Sequence, residues 1–132
     1  MRIRAIVLFV VTAAGAASAG TKSAGTLSPC EKRAVFVDSM PENFGQYVTT
    51  EILAQDVKIE VTTDRDKAIC AMRGTVALGG FRNTGSASIQ MIGPTSSVVW
   101  SATSGDKDSV KDLAHNLVKQ MKHDLQNSSR SQ

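Results

Sequence analysis

Val110, Leu113, Ala114, Leu117, Val118, Met121 and Leu125 recur at three- and four-residue steps, which predicts a helix over 109–125 with one continuous apolar stripe. A shorter helix is predicted from Asn43, as its cap, to about Asp56, with Phe44, Tyr47, Val48, Ile52 and Leu53 toward the core. Five segments carry strand patterns. Ala34 to Val37 is a compact apolar run ended by Asp38 and Met40-Pro41, and Val57, Ile59 and Val61 alternate with polar neighbours. Ile69 to Leu78 and Ala87 to Ile92 flank the glycine-rich stretch 79–85, which reads as a wide hairpin loop. Val98 to Ala102 is the fifth.

The order is strand, helix, three strands, helix. A right-handed crossover makes the first two strands parallel neighbours, and the last three continue as an antiparallel meander. The predicted fold is therefore α+β, a two-layer sandwich whose mixed five-stranded sheet has the order 2-1-3-4-5. Both helices lie on one face, since each has a single stripe to bury. Strands two and five become the edges. Strand two carries Lys58 and Glu60, whereas strand five has no charge, so Val99 on that edge is the expected docking point for a partner or for self-association.

The first nineteen residues change the picture. Arg2 and Arg4 precede an apolar run of about ten residues, half of what a permanent membrane span needs, and Ala17-Ser18-Ala19 supplies the small residues that signal peptidase reads. Residues 1–19 are thus a predicted signal peptide, 20–33 a flexible lead-in, 34–125 a single domain and 126–132 a disordered tail. No membrane span is expected after cleavage, and the location is periplasmic or secreted. Of the 15 basic residues, Arg2 and Arg4 leave with the leader, so 13 remain against 12 acidic ones. They form no basic stripe, which argues against nucleic acid.

Cys30 and Cys70 are the two cysteines. An even count in an exported chain favours a disulfide, and the topology brings both to one end of adjacent strands. Two buried thiols or a redox pair are the alternatives, although no Cys-x-x-Cys spacing supports the latter.

Val35-Phe36-Val37-Asp38, the helix after it, Ala68 followed by Gly74-Thr75-Val76, Val98-Val99-Trp100-Ser101 and the final helix together resemble a known small periplasmic domain. It is shared by the TolB amino-terminal region, the curli-secretion lipoproteins and the penicillin-binding-protein activator lipoproteins. The resemblance spans 34–125 and implies a non-catalytic envelope scaffold that binds a protein or the cell-wall assembly machinery. Ile69 stands where those relatives carry an aspartate, and Leu27-Ser28-Pro29-Cys30 departs from a lipidation signal.

Candidate chemistry is sparse. His115 and His123 are eight residues apart on one helix, too far to share a metal ion. No Gly-x-Ser-x-Gly elbow occurs, so neither a catalytic constellation nor a cofactor is expected. Asp38 ends a central strand, where ligand sites of α/β sheets gather, but capping of the next turn explains it equally well. Asp64 and Asp66 read as a solvated turn. Phe81 and Arg82 at the tip of the glycine-rich loop are a second expected partner contact. The alternative to a protein-binding module is a binder of a small molecule or glycan.

Overall fold

The computed structural model describes residues 20–78, 85–107 and 109–130. The predicted leader 1–19 and loop residues Phe81 and Arg82 lie outside them. Among the described residues there are six strands: β1 (Thr21–Gly25), β2 (Ala34–Val37), β3 (Glu60–Thr62), β4 (Cys70–Leu78), β5 (Gly85–Ile92) and β6 (Val98–Lys107). Two α-helices among the described residues, α1 (Phe44–Ala54) and α2 (Val110–Arg130), accompany the strands in an α+β fold.

One sheet runs in the order β1-β6-β5-β4-β2-β3. The five predicted strands keep their predicted order, with β2 parallel to both β3 and β4 and the rest of the sheet antiparallel. The sixth strand corrects two expectations. Thr21–Gly25, expected as a flexible lead-in, pairs antiparallel with β6. Strand five is therefore interior, and Val99 is not on an edge: its carbonyl accepts the Thr26 amide at 2.8 Å.

β1 has no apolar alternation to announce it, and polar contacts hold it in place. Thr21 Oγ1 lies 3.0 Å from the hydroxyl of Ser104, which is only 1% exposed, and Ser23 Oγ donates to Asp124 of α2 at 2.6 Å. Trp100 Nε1 donates to the same carboxylate at 2.8 Å, and Gln120 Nε2 donates to its other oxygen at 2.9 Å. Gly25 ends the strand at φ +90°, where a Cβ would come within 2.1 Å of the Val99 carbonyl oxygen. Only glycine passes there.

Both helices cover one face of the sheet. Leu113, Leu117, Val118 and Met121 of α2 and Phe44, Val48 and Ile52 of α1 are buried against Val35, Met72, Ile89, Met91 and Trp100. Tyr47 (41% exposed) and Leu53 (73%) fall outside this core, contrary to their predicted place on the inner face of α1. α2 continues to Arg130, into the segment expected to be a disordered tail. Between the helices Gln55 Nε2 donates to Glu51 Oε1 at 2.8 Å, and His115 Nδ1 lies 2.9 Å from the same oxygen.

Candidate functional site

Among the described residues, the opposite face of the sheet carries no α-helix. Residues paired across strands share a face, so the register orders its side chains into rows. Ile92, Ala71, Phe36 and Thr62 stand side by side across β5, β4, β2 and β3, and Val98 of β6 pairs with Ile92 across a bulge. Ile69 extends this apolar row at the start of β4 and is 44% exposed, while Val98 is 51% exposed. The next row reads Ser101, Gln90 and Arg73, with Asp38 beside Arg73 where the Asp38 amide donates to the Met72 carbonyl. Beyond it come Lys22, Thr103, Ser88 and Thr75, the last two joined hydroxyl to hydroxyl at 3.0 Å.

Charge is placed unevenly on this face. Arg65 bonds the Asp38 carboxylate and lies over the Phe36 ring, 4.8 Å from its centroid, so it caps one end of the apolar row. The Asp38 side chain thus takes an ion partner instead of capping the following turn. Arg73 has no ion partner among the described residues. The site therefore offers an apolar strip beside one row of donors and acceptors, the anatomy of a docking surface.

A cleft of about 570 Å³ opens where β2 ends and α1 begins, lined by Asp38, Ser39, Asn43, Gln46, Thr49 and Thr50 among others. A Cβ on Gly45 would approach the Asp38 carbonyl oxygen to 3.2 Å, so glycine lets the helix start close to the strand. Asn43 occupies the predicted cap position in a left-handed conformation (φ 58°), its side chain making no cap bond, and Glu42 before it has the same φ. The walls offer hydroxyls, amides and one carboxylate, groups suited to a polyhydroxylated molecule.

The other candidate residues fall away from these surfaces. Cys30 and Cys70 are joined by a disulfide with an S–S distance of 2.09 Å, and both are buried. The bond ties the segment before β2 to the start of β4. Val99 packs against Gly93 and the edge of the core. Asp64 accepts the Asp66 amide at 3.0 Å and caps a single 3-10 turn, Arg65–Lys67. His123 lies 3.1 Å from the Asn127 amide nitrogen, on a different part of α2 from His115. Among the described residues no three His, Cys, Asp or Glu side chains converge on a metal position.

Glu51 lies between the two helices in a setting that displaces its carboxyl pKa. Burial alone would raise its carboxyl pKa, but the bonds from Gln55 and His115, with the charges of His115 and Lys111, hold it below the ordinary value. This cluster joins the two helices and lies on the covered side of the molecule.

The apolar row was missed in the sequence because it is assembled from four strands, each contributing one or two residues. Its signal was nonetheless present: Ile69 and Ile92 are out of step with the buried alternation of their own strands.

No protein-family model matches the chain, and no curated protein matches it. Among solved structures it is similar to the PelC dodecamer of Paraburkholderia phytofirmans in two crystal forms, one of them a point variant. In each the identity is 14%, the TM-score 0.49, and the match covers 73% of this chain and 89% of that one. Nothing about ligand or assembly is carried over at that level of similarity.

Proposed function

We propose that this chain is a non-catalytic, exported interaction module of the bacterial cell envelope that docks a protein partner on the uncovered face of its sheet. The observation that carries the reading is the apolar strip in which Ile69 and Val98 are exposed and Ile92 half-buried, beside Arg73, Gln90 and Ser101 on a face that neither described helix covers. A buried disulfide supports an oxidising compartment, the periplasm or the exterior, and none of the described helices is long and apolar enough to cross a membrane. The resemblance to the TolB amino-terminal and curli-secretion domains belongs to the same proposal. A photo-crosslinking residue at Gln90 or Ser101, compared with one at Lys119 on the outer side of α2, tests it in exporting cells. Adducts are expected from the first two positions. Adducts from Lys119 alone would overturn the assignment of the face.

A second reading rests on the cleft beside Asp38. Its size and its hydroxyl and amide lining suit a small polyhydroxylated molecule or a glycan end, with Asp38 and Gln46 as hydrogen-bonding partners. Titration with cell-wall saccharides, followed through amide shifts of Gly45 and Thr49, tests it. Unchanged spectra at millimolar ligand would remove it.

A further inference from the structure

β1 lies at an edge of the sheet, and its hydrogen-bonding pattern leaves part of its backbone unused. The Gly105 amide donates to the Gly20 carbonyl at 2.7 Å, and the Thr26 amide donates to the Val99 carbonyl at 2.8 Å. Bonded positions alternate along an antiparallel ladder, so Lys22 and Ala24 also turn their backbone groups toward β6. Thr21 and Ser23 turn theirs outward, and no described strand takes them up. A groove of about 230 Å³ runs beside them, with Ser23, Ala24 and Gly25 on one side and Asp124, Asn127 and Ser128 of α2 on the other. No described residue of β6 lines it, so it follows the free edge of β1. The Ser23 hydroxyl donates to Asp124 at 2.6 Å, which places that side chain on the groove side. Asp124 also accepts from Trp100 and Gln120. All three donors are neutral, and the carboxylate has no ion partner among the described residues. Lys22, the one charged residue of β1, belongs to the uncovered face instead.

We infer that this edge binds an extended, basic peptide segment of a partner protein, which adds to the sheet as a further strand antiparallel to β1. Backbone bonds to Thr21 and Ser23 supply attachment, and the groove supplies selection among side chains. The peptide residue opposite Ser23 exchanges both backbone bonds with it and directs its side chain to the same face, into the groove. A lysine or arginine at that position meets the Asp124 carboxylate, while Ala24 and Gly25 leave room for its stem. A second copy of this chain is the poorer occupant. Two β1 strands paired antiparallel about Ser23 would turn two Asp124 carboxylates toward each other, and like charges oppose that pairing. The other edge, β3, offers three residues. The site lies away from the uncovered face and does not depend on the reading of that face.

Amide exchange and chemical shifts of the protein recovered from exporting cells test this with a synthetic peptide, TVTKTVT. Two companions carry glutamate in place of the central lysine, or a methyl group on that lysine's backbone nitrogen. At millimolar TVTKTVT the Thr21 and Ser23 amides should shift and exchange at least about tenfold more slowly, whereas those of Lys22 and Ala24, already bonded to β6, should change little. The glutamate peptide should bind at least about tenfold more weakly. The methylated one should give no protection, since it lacks the donor to the Ser23 carbonyl. Asp124→Asn retains an acceptor oxygen for Trp100 and Ser23 and should bind the lysine and glutamate peptides alike. Circular dichroism establishes that this variant is folded; if it is not, the three peptides decide alone. Silence of Thr21 and Ser23 toward TVTKTVT overturns the inference, as does equal binding of its glutamate or methylated companion to the wild-type chain. Shifts confined to Arg73 and Gln90 overturn it by moving the peptide to the uncovered face. Protection of Thr21 and Ser23 that grows with protein concentration and without peptide overturns it in favour of a second copy.

Discussion

Ile89 and Ile92 are three residues apart on β5 and face opposite ways. Ile89 is fully buried beneath the helices, whereas Ile92 belongs to the half-buried row on the open side. The same chemistry therefore serves packing on one face and leaves surface for contact on the other. Apolar character alone does not distinguish the two uses. The partner across the sheet and the presence of a helix do.

The comparison is broken most severely at the bond that closes the covered layer. Replacing Cys30 and Cys70 with serine opens a loop spanning 40 residues and should cost about 4 kcal/mol of stability, measured by urea unfolding. Unchanged stability would show that burial alone holds the segment before β2 in place. Next in size, Ile89→Ala should cost about 2–5 kcal/mol, while Val98→Ala should cost under about 1 kcal/mol in the same assay. Equal losses at the two positions would erase the distinction between the faces.

A smaller effect is expected at Asp124, which joins β1 to the covered layer. Asp124→Leu leaves the Trp100 indole N–H and the Ser23 hydroxyl without their acceptor and should cost about 1–3 kcal/mol. Hydrogen exchange should then show faster opening of β1 than of β4, and uniform acceleration across the sheet would argue against a local role. The smallest effect concerns pH. Glu51 titrates below its ordinary value when folded, so its contribution is present above the unfolded carboxylate pKa and is lost as the pH falls through the folded one. Glu51→Gln should flatten the acid limb of the stability curve and leave the neutral region nearly parallel to wild type.

Much of the covered layer was legible because its residues repeat along single elements. The stripe of α2 and the order of five strands follow from local spacing and chain-crossing rules, and the disulfide partners follow from the ends of neighbouring strands. β1 was not legible. Thr-Lys-Ser-Ala-Gly has no apolar face, and it is held by Ser104, Asp124 and the β6 backbone, groups that lie about 80 to 100 residues away. Leu27, fully buried just beyond it, was the one sequence feature at odds with a loose lead-in. Tyr47 and Leu53 erred in the other direction. A helical wheel accepts them on the inner face, but the sheet is reached only by Phe44, Val48 and Ile52. The open-face site escaped for a related reason: rows across a sheet have no period along the chain, and their members meet only once register is fixed.

The pairing of β1 with β6 also orders events in time. Thr21 and Ser104 are separated by 83 positions, so the earliest strand to leave the ribosome finds its neighbour only after nearly the whole chain has followed. Contacts of such long sequence separation are slow to form, because the intervening loop must be closed before they repay its entropy. The β4–β5 hairpin and the β5–β6 meander are local and can assemble while β1 is still waiting. As the chain is synthesised, β1 emerges ahead of the other described strands and is among the last to pair, and the sheet stays open on its β6 side until it does.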